Sequence, residues 1–161
     1  MMRRRVCAGL ACLGVLLFVV ALHAQEGKRM QATGTFEVKI APQKPDNAPA
    51  EASGVSRMSI DKVFHGALEG TSKGEMLAYG SPAGNGSAGY VAMERVTGTL
   101  DGKHGSFVLQ HTATMDRGAP SLSVTVVPDS GTDELTGIKG KMSIEIAAGK
   151  HSYSFVYELM K

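Results

Sequence analysis

The dipeptide Asp101-Gly102 lies between two runs rich in β-forming residues, Gly89–Thr99 and Ser106–Met115. An Asp-Gly pair accepts the positive φ angles of a tight hairpin turn. Flanked by alternating apolar residues, it is the strongest short-range hairpin signal a sequence carries. The centre of this chain is therefore committed to antiparallel β structure.

The same pattern recurs on both sides. In Met30–Ile40, Ala32, Phe36, Val38 and Ile40 share one parity and Thr33, Thr35, Glu37 and Lys39 the other, as in a half-buried strand. Ala41–Gly54 carries Pro42, Pro45 and Pro49 among small and polar residues and reads as a surface loop within one fold. Val55–His65 places Met58, Ile60 and Phe64 opposite Arg57, Asp61 and His65. Leu68–Gly80 is a less regular strand, and Ser81–Ser87 is turn chemistry, with Asn85-Gly86 suited to positive φ. Leu122–Val127 is closed by Pro128. Met142–Ile146 and Ser152–Leu159 form a last pair joined by residues 147–151, with Tyr153, Phe155, Tyr157 and Leu159 on one parity. Only Asp129–Gly140 departs, offering a single helical or 3₁₀ turn. The pattern predicts an all-β single domain of about eight short antiparallel strands, a sandwich or a barrel. A closed barrel has no free edges, and its interior is filled by side chains or holds one small ligand.

The first residues read differently. Arg3-Arg4-Arg5, the uncharged apolar run Val6–Leu22 and Ala24 form the order of a secretory signal peptide, with Leu22 where a small residue is usual. The alternative, a membrane anchor, is marginal against the roughly 20 apolar residues a spanning helix needs. The expected division is residues 1–24 as signal and 25–161 as the barrel domain, with the mature protein periplasmic or secreted. Cys7 and Cys12 fall inside the signal, and the apolar run continues past Cys12, which argues against lipidation. The mature chain would then have no disulfide, cysteine nucleophile or cysteine metal site. Loss of Arg3, Arg4 and Arg5 takes Lys plus Arg from 17 to 14 against 15 Asp plus Glu, and the net charge from +2 to −1. No basic excess remains to hold a phosphate backbone, so nucleic acid is not an expected partner.

Four segments carry a resemblance. They are Ala32-Thr33-Gly34-Thr35-Phe36-Glu37-Val38; Phe64-His65-Gly66-Ala67-Leu68-Glu69-Gly70; Glu94-Arg95-Val96-Thr97-Gly98-Thr99-Leu100 continuing through Gly105-Ser106-Phe107-Val108-Leu109-Gln110-His111; and Val127-Pro128, Gly131-Thr132 and Glu134-Leu135-Thr136-Gly137-Ile138-Lys139-Gly140. Together they resemble the bacterial domain-of-unknown-function family numbered thirty-two twenty-four. The resemblance implies an eight-stranded barrel similar to allene oxide cyclase and dirigent proteins. It implies no activity, and none of the catalytic residues of those barrel relatives can be matched here.

The central hairpin also holds the best candidates for a site. A loop of two or four residues puts Glu94 and His111 on one face, and the four-residue version sets them directly opposite each other. A three-residue loop would bring Arg95 to that face instead. A carboxylate holding an imidazole suits acid–base work; the plainer reading is a structural hydrogen bond in a barrel wall. His65, His104 and His151 are scattered, no His-x-His or His-Glu-x-x-His spacing appears, and no metal site or cofactor is expected. Gly84–Gly89 is glycine-rich, but no helix follows to make an anion site. Phe64 and Phe107, with Phe36, Tyr153, Phe155 and Tyr157, either pack the interior or line an apolar pocket, and Tyr157 is placed to present its hydroxyl at a barrel mouth. The expected function is an exported barrel that binds a small, mostly apolar molecule without catalysis, through Glu94, Arg95, His111, Tyr157, Phe64 and Phe107. One alternative is an isomerase- or cyclase-like enzyme using Glu94, Arg95 and His111; another is a structural module that forms a homodimer.

Overall fold

Alternation along each run is realised as a sheet closed on itself. The computed structural model describes residues 28–160; residues 1–24, read from the sequence as an export signal, lie outside them. The elements are β1 (Met30–Gln43), α1 (Ala48–Ala52), β2 (Ser56–Gly66), β3 (Leu68–Gly80), β4 (Ala88–Leu100), β5 (Lys103–Asp116), β6 (Ala119–Val126), a 3₁₀ turn (Asp133–Leu135), β7 (Ile138–Ala147) and β8 (Lys150–Leu159). Every strand pairs antiparallel with the next, and β8 pairs back onto β1, closing an eight-stranded barrel.

Three of its hairpins use the same turn chemistry. Asp101-Gly102, Arg117-Gly118 and Ala148-Gly149 all have positive φ at both residues (46° and 79°, 49° and 89°, 50° and 76°). Paired positive φ values twist the turn in the sense of the flanking strands, and glycine takes the second at no steric cost. At the centre this gives a two-residue loop with Leu100 opposite Lys103. It places Glu94 opposite Leu109 and Ala92 opposite His111. The four-residue register is therefore not the one adopted, although Glu94 and His111 still share a face because the loop is even.

The region read as a loop at Ala41–Gly54 carries more structure than proline content suggests. β1 runs on to Gln43, and α1 follows with Asn47 as N-cap, its side chain accepting from the Ala50 amide at 2.8 Å. Pro49 sits in the first turn, where its missing N–H has no intrahelical partner to lose.

The two ends of the barrel differ. At the end holding the Asp101 turn, Leu68, Leu100, Phe107, Leu135 and Ile138 are fully buried. Phe107, Phe155 and Tyr157 stack with centroids 5.6 and 5.3 Å apart. The Tyr157 hydroxyl donates to Asp101 Oδ2 at 2.6 Å, tying β8 to the β4–β5 turn. β6 covers β5 only from Leu109 onward. Nearer the Asp101 turn, β5 amides donate instead to side chains of the β6–β7 loop: His104 to Glu134 at 2.8 Å, Ser106 to Thr132 at 3.0 Å and Val108 to Ser130 at 3.0 Å.

At the other end, positions of interior parity stay uncovered. Ile40 is 47 % exposed, Met115 37 %, Leu122 42 % and Ile146 65 %. β6 and β7 pair only at Val124–Met142 and Thr125–Lys141, so the wall parts above those residues. The barrel is thus a cup, filled below and open above. Phe107 belongs to the filled half, and Phe107→Ala should lower the unfolding free energy in urea by about 3–5 kcal/mol, as for an aromatic deleted from a packed core.

Candidate functional site

Between the two halves lie four polar side chains, all buried and all at interior positions: Lys62 on β2, Ser72 on β3, Glu94 on β4 and His111 on β5. Glu94 faces Gly74 on one side and Leu109 on the other. His111 is two residues beyond Leu109, so it stands diagonally from Glu94, within reach of a long side chain. Glu94 Oε1 accepts from Lys62 Nζ at 2.8 Å and His111 Nε2 at 3.0 Å, and Oε2 accepts from Ser72 Oγ at 2.9 Å. Gly74 makes room for this: a Cβ there would meet Glu94 Cα and Cβ at 2.6 and 2.7 Å. Lys62 Nζ also lies 4.9 Å from the Phe36 ring centroid and 5.8 Å from that of Phe64, an electrostatically favourable place for a desolvated ammonium.

Burial pushes the Glu94 carboxyl up, but the His111 hydrogen bond and the Lys62 charge outweigh it and hold the group down at about 2. Glu94 is therefore ionised at neutral pH and can only accept, which assigns a proton to His111 Nε2. With three donors on its two oxygens, it has little lone-pair capacity left. Burial and the nearby Glu94 charge raise the Tyr90 hydroxyl, on the open side of the cluster.

The residues singled out in the sequence separate accordingly. Glu94 and His111 come together. Arg95 has outward parity and its guanidinium donates to Ser106 Oγ at 3.2 Å on the exposed surface. Phe64 and Phe107 are core residues. Tyr157 sits at the closed end, away from the mouth. Lys62 and Ser72 were missed. Lys62 shares the parity of Ile60 and Phe64, and a charge on an apolar face was the available signal. Among the other histidines, His65 meets Glu37 at 2.8 Å on the outside, and His151 packs on Phe36. Among the described residues no group of three or more His, Cys, Asp or Glu side chains is arranged to hold a metal.

Above the cluster, at the rim, is a cavity of about 390 Å³ whose walls include Ala78, Tyr90, Ala113, Met115 and Leu122. A larger cleft, about 890 Å³, lies outside the barrel between the α1 segment and the outward faces of β2–β5, where Arg57 forms a two-pronged pair with Glu75.

The family model described as "Protein of unknown function (DUF3224)" matches residues 32–157. The chain belongs to the DUF3224 family. A solved DUF3224 structure from Shewanella oneidensis, itself of unknown function, is 45 % identical, covering 83 % of this chain and 99 % of its own, with a TM-score of 0.75. No curated protein matches the chain. The DUF3224 membership and the closed barrel accord with the resemblance read from the four sequence segments.

The Glu94 carboxyl is depressed in the folded state, so its contribution to stability is present above the ordinary carboxyl value of 4.5 and is lost as pH falls toward about 2. That interval corresponds to a loss on the order of 3 kcal/mol. Glu94→Gln should remove this part of the acid dependence. At neutral pH it should also cost about 3–5 kcal/mol by stranding the Lys62 ammonium. Adding Lys62→Met should recover part of that cost. Urea unfolding as a function of pH measures all three.

Proposed function

We propose that this barrel is a binding protein that takes a small, mostly apolar molecule into its open end without chemical change. The observation that carries this reading is the uncovered interior face of the rim. Large apolar side chains at interior parity, Ile40, Met115, Leu122 and Ile146, remain exposed together at one end. Scattered apolar residues on a surface are ordinary, but a contiguous concave set is the usual mark of a ligand site. The rim cavity falls within the roughly 300–1,000 Å³ typical of small-molecule pockets. The parted upper edges of β6 and β7 supply a way in from the side.

Catalysis through Glu94, Arg95 and His111 is less well supported. A general base works best with a pKa near the operating pH. Glu94 is held at about 2, its oxygens already take three donors, and Arg95 lies outside the barrel. The reading also takes the protein to be exported, and N-terminal sequencing of the mature form should begin near Gln25.

Native mass spectrometry of protein purified from its own host should show a retained apolar molecule. Leu122→Glu and Ile146→Glu alter exposed positions, so their unfolding free energies should stay within about 0.5 kcal/mol of the parent. Both should lose the retained molecule. Parent protein that carries no ligand and binds no apolar probe would overturn the proposal.

A further inference from the structure

The floor of the cup presents one unused polar atom. Tyr90, Ala113 and Leu122 stand side by side across β4, β5 and β6 and form part of the rim cavity wall. The next interior row down is Ala92, His111 and Val124. The neighbouring Ala92 and Ala113 are small, and the His111 side chain keeps 4 % of its surface exposed. Its Nε2 is committed to Glu94. Its Nδ1 makes no hydrogen bond among the described residues, yet no sealed side-chain nitrogen or oxygen there lacks a partner. Nδ1 therefore keeps a path to solvent. Leu109 and Phe107 are fully buried beneath it, and Ala113, the next interior residue above it on β5, is part of the rim cavity wall.

Proton accounting fixes what Nδ1 offers. Ionised Glu94 requires the hydrogen on Nε2, so in the neutral ring Nδ1 is a lone pair and accepts. The groups facing the ring are Glu94 and Tyr90 from β4 and Lys62 from β2; Val124 on β6 brings no charge. Lys62 and Glu94 already neutralise each other at 2.8 Å. The interior-facing rim positions, among them Ile40, Met58, Met76, Ala78, Leu122 and Ile146, include no Asp, Glu, Lys or Arg. An ionic ligand would lose its hydration there without finding a free counter-charge.

We infer that the floor of the cup selects an uncharged, largely apolar alcohol, whose hydroxyl donates to His111 Nδ1. The inference rests on reading the cup as a ligand site and names the class of ligand it takes.

The test compares octanol with its isomer heptyl methyl ether, equal in atoms but lacking a donor, by isothermal titration. Where nitrogen NMR shows the His111 ring neutral, the alcohol should bind about tenfold more tightly, the scale of one hydrogen bond whose loss leaves a buried acceptor unmet. At a pH where nitrogen NMR shows the His111 ring protonated, Nδ1 becomes a donor, the ether oxygen can accept from it, and the preference should collapse. The Nδ1 resonance of the neutral ring should move on adding octanol and stay in place with the ether. His111→Phe, if folded, should bind both equally. Equal binding of both compounds by the parent protein, with Nδ1 unmoved, would overturn the inference and leave the cup reading intact. Binding of neither would overturn the cup reading and the inference together.

Discussion

The ionised Glu94 carboxylate is the group on which the rest of the interior is arranged. Taking a carboxylate out of water costs several kcal/mol even after relaxation. The barrel offsets that cost with donors from three other strands, Lys62, Ser72 and His111, each about 3 Å away. A one-residue slip in any strand would turn its donor to the outside and leave the charge bare. Apolar side chains tolerate rearrangement; this arrangement does not. The cluster therefore acts against alternative registers of β2 to β5 as well as contributing to stability in the adopted one.

The position of the cluster also divides the barrel by function of its parts. Below it, aromatic stacking and the Tyr157–Asp101 hydrogen bond close one end. The β6–β7 loop completes that end by presenting Ser130, Thr132 and Glu134 to β5 amides that β6 does not reach. Above it, the same interior parity continues with no layer on top. The buried charges thus mark the level at which packing stops and the cup begins.

Much of this is legible in the sequence, and the limits have physical reasons. Strict alternation in β1 and β8 and the Asp101-Gly102 turn are local signals, and they identify strands, antiparallel order and the shared face of Glu94 and His111. Lys62 and Ser72 are not local: their meeting with Glu94 depends on how β2, β3 and β4 slide against one another. The parity of Lys62 with Ile60 and Phe64 was nonetheless visible, since a lysine on an apolar face needs a partner. Tyr157 shows the value of counting strands. In an up-and-down barrel β4 and β8 run in the same direction, so residues near the ends of both share one end. Tyr157 therefore belongs beside Asp101 and away from the mouth. Arg95 follows from the turn alone, because two loop residues fix Glu94 inward and its neighbour outward.

The weakest part of the closure is the β6–β7 seam. It has two paired positions, whereas β4 and β5 pair along their whole lengths. Local opening is easiest where backbone hydrogen bonds are few and apolar cover is thin, and both conditions meet above Val124 and Met142. Unpaired strand edges invite association with other chains, and Pro120 on β6 and the exposed Glu145 on β7 are residue types that discourage it. The barrel thus leaves its loosest wall beside the uncovered apolar rim, while the Glu94 cluster below holds the remaining strands in register. Opening at the seam can widen the cup without disturbing its floor, because His111 and Glu94 are anchored on the fully paired β4 and β5.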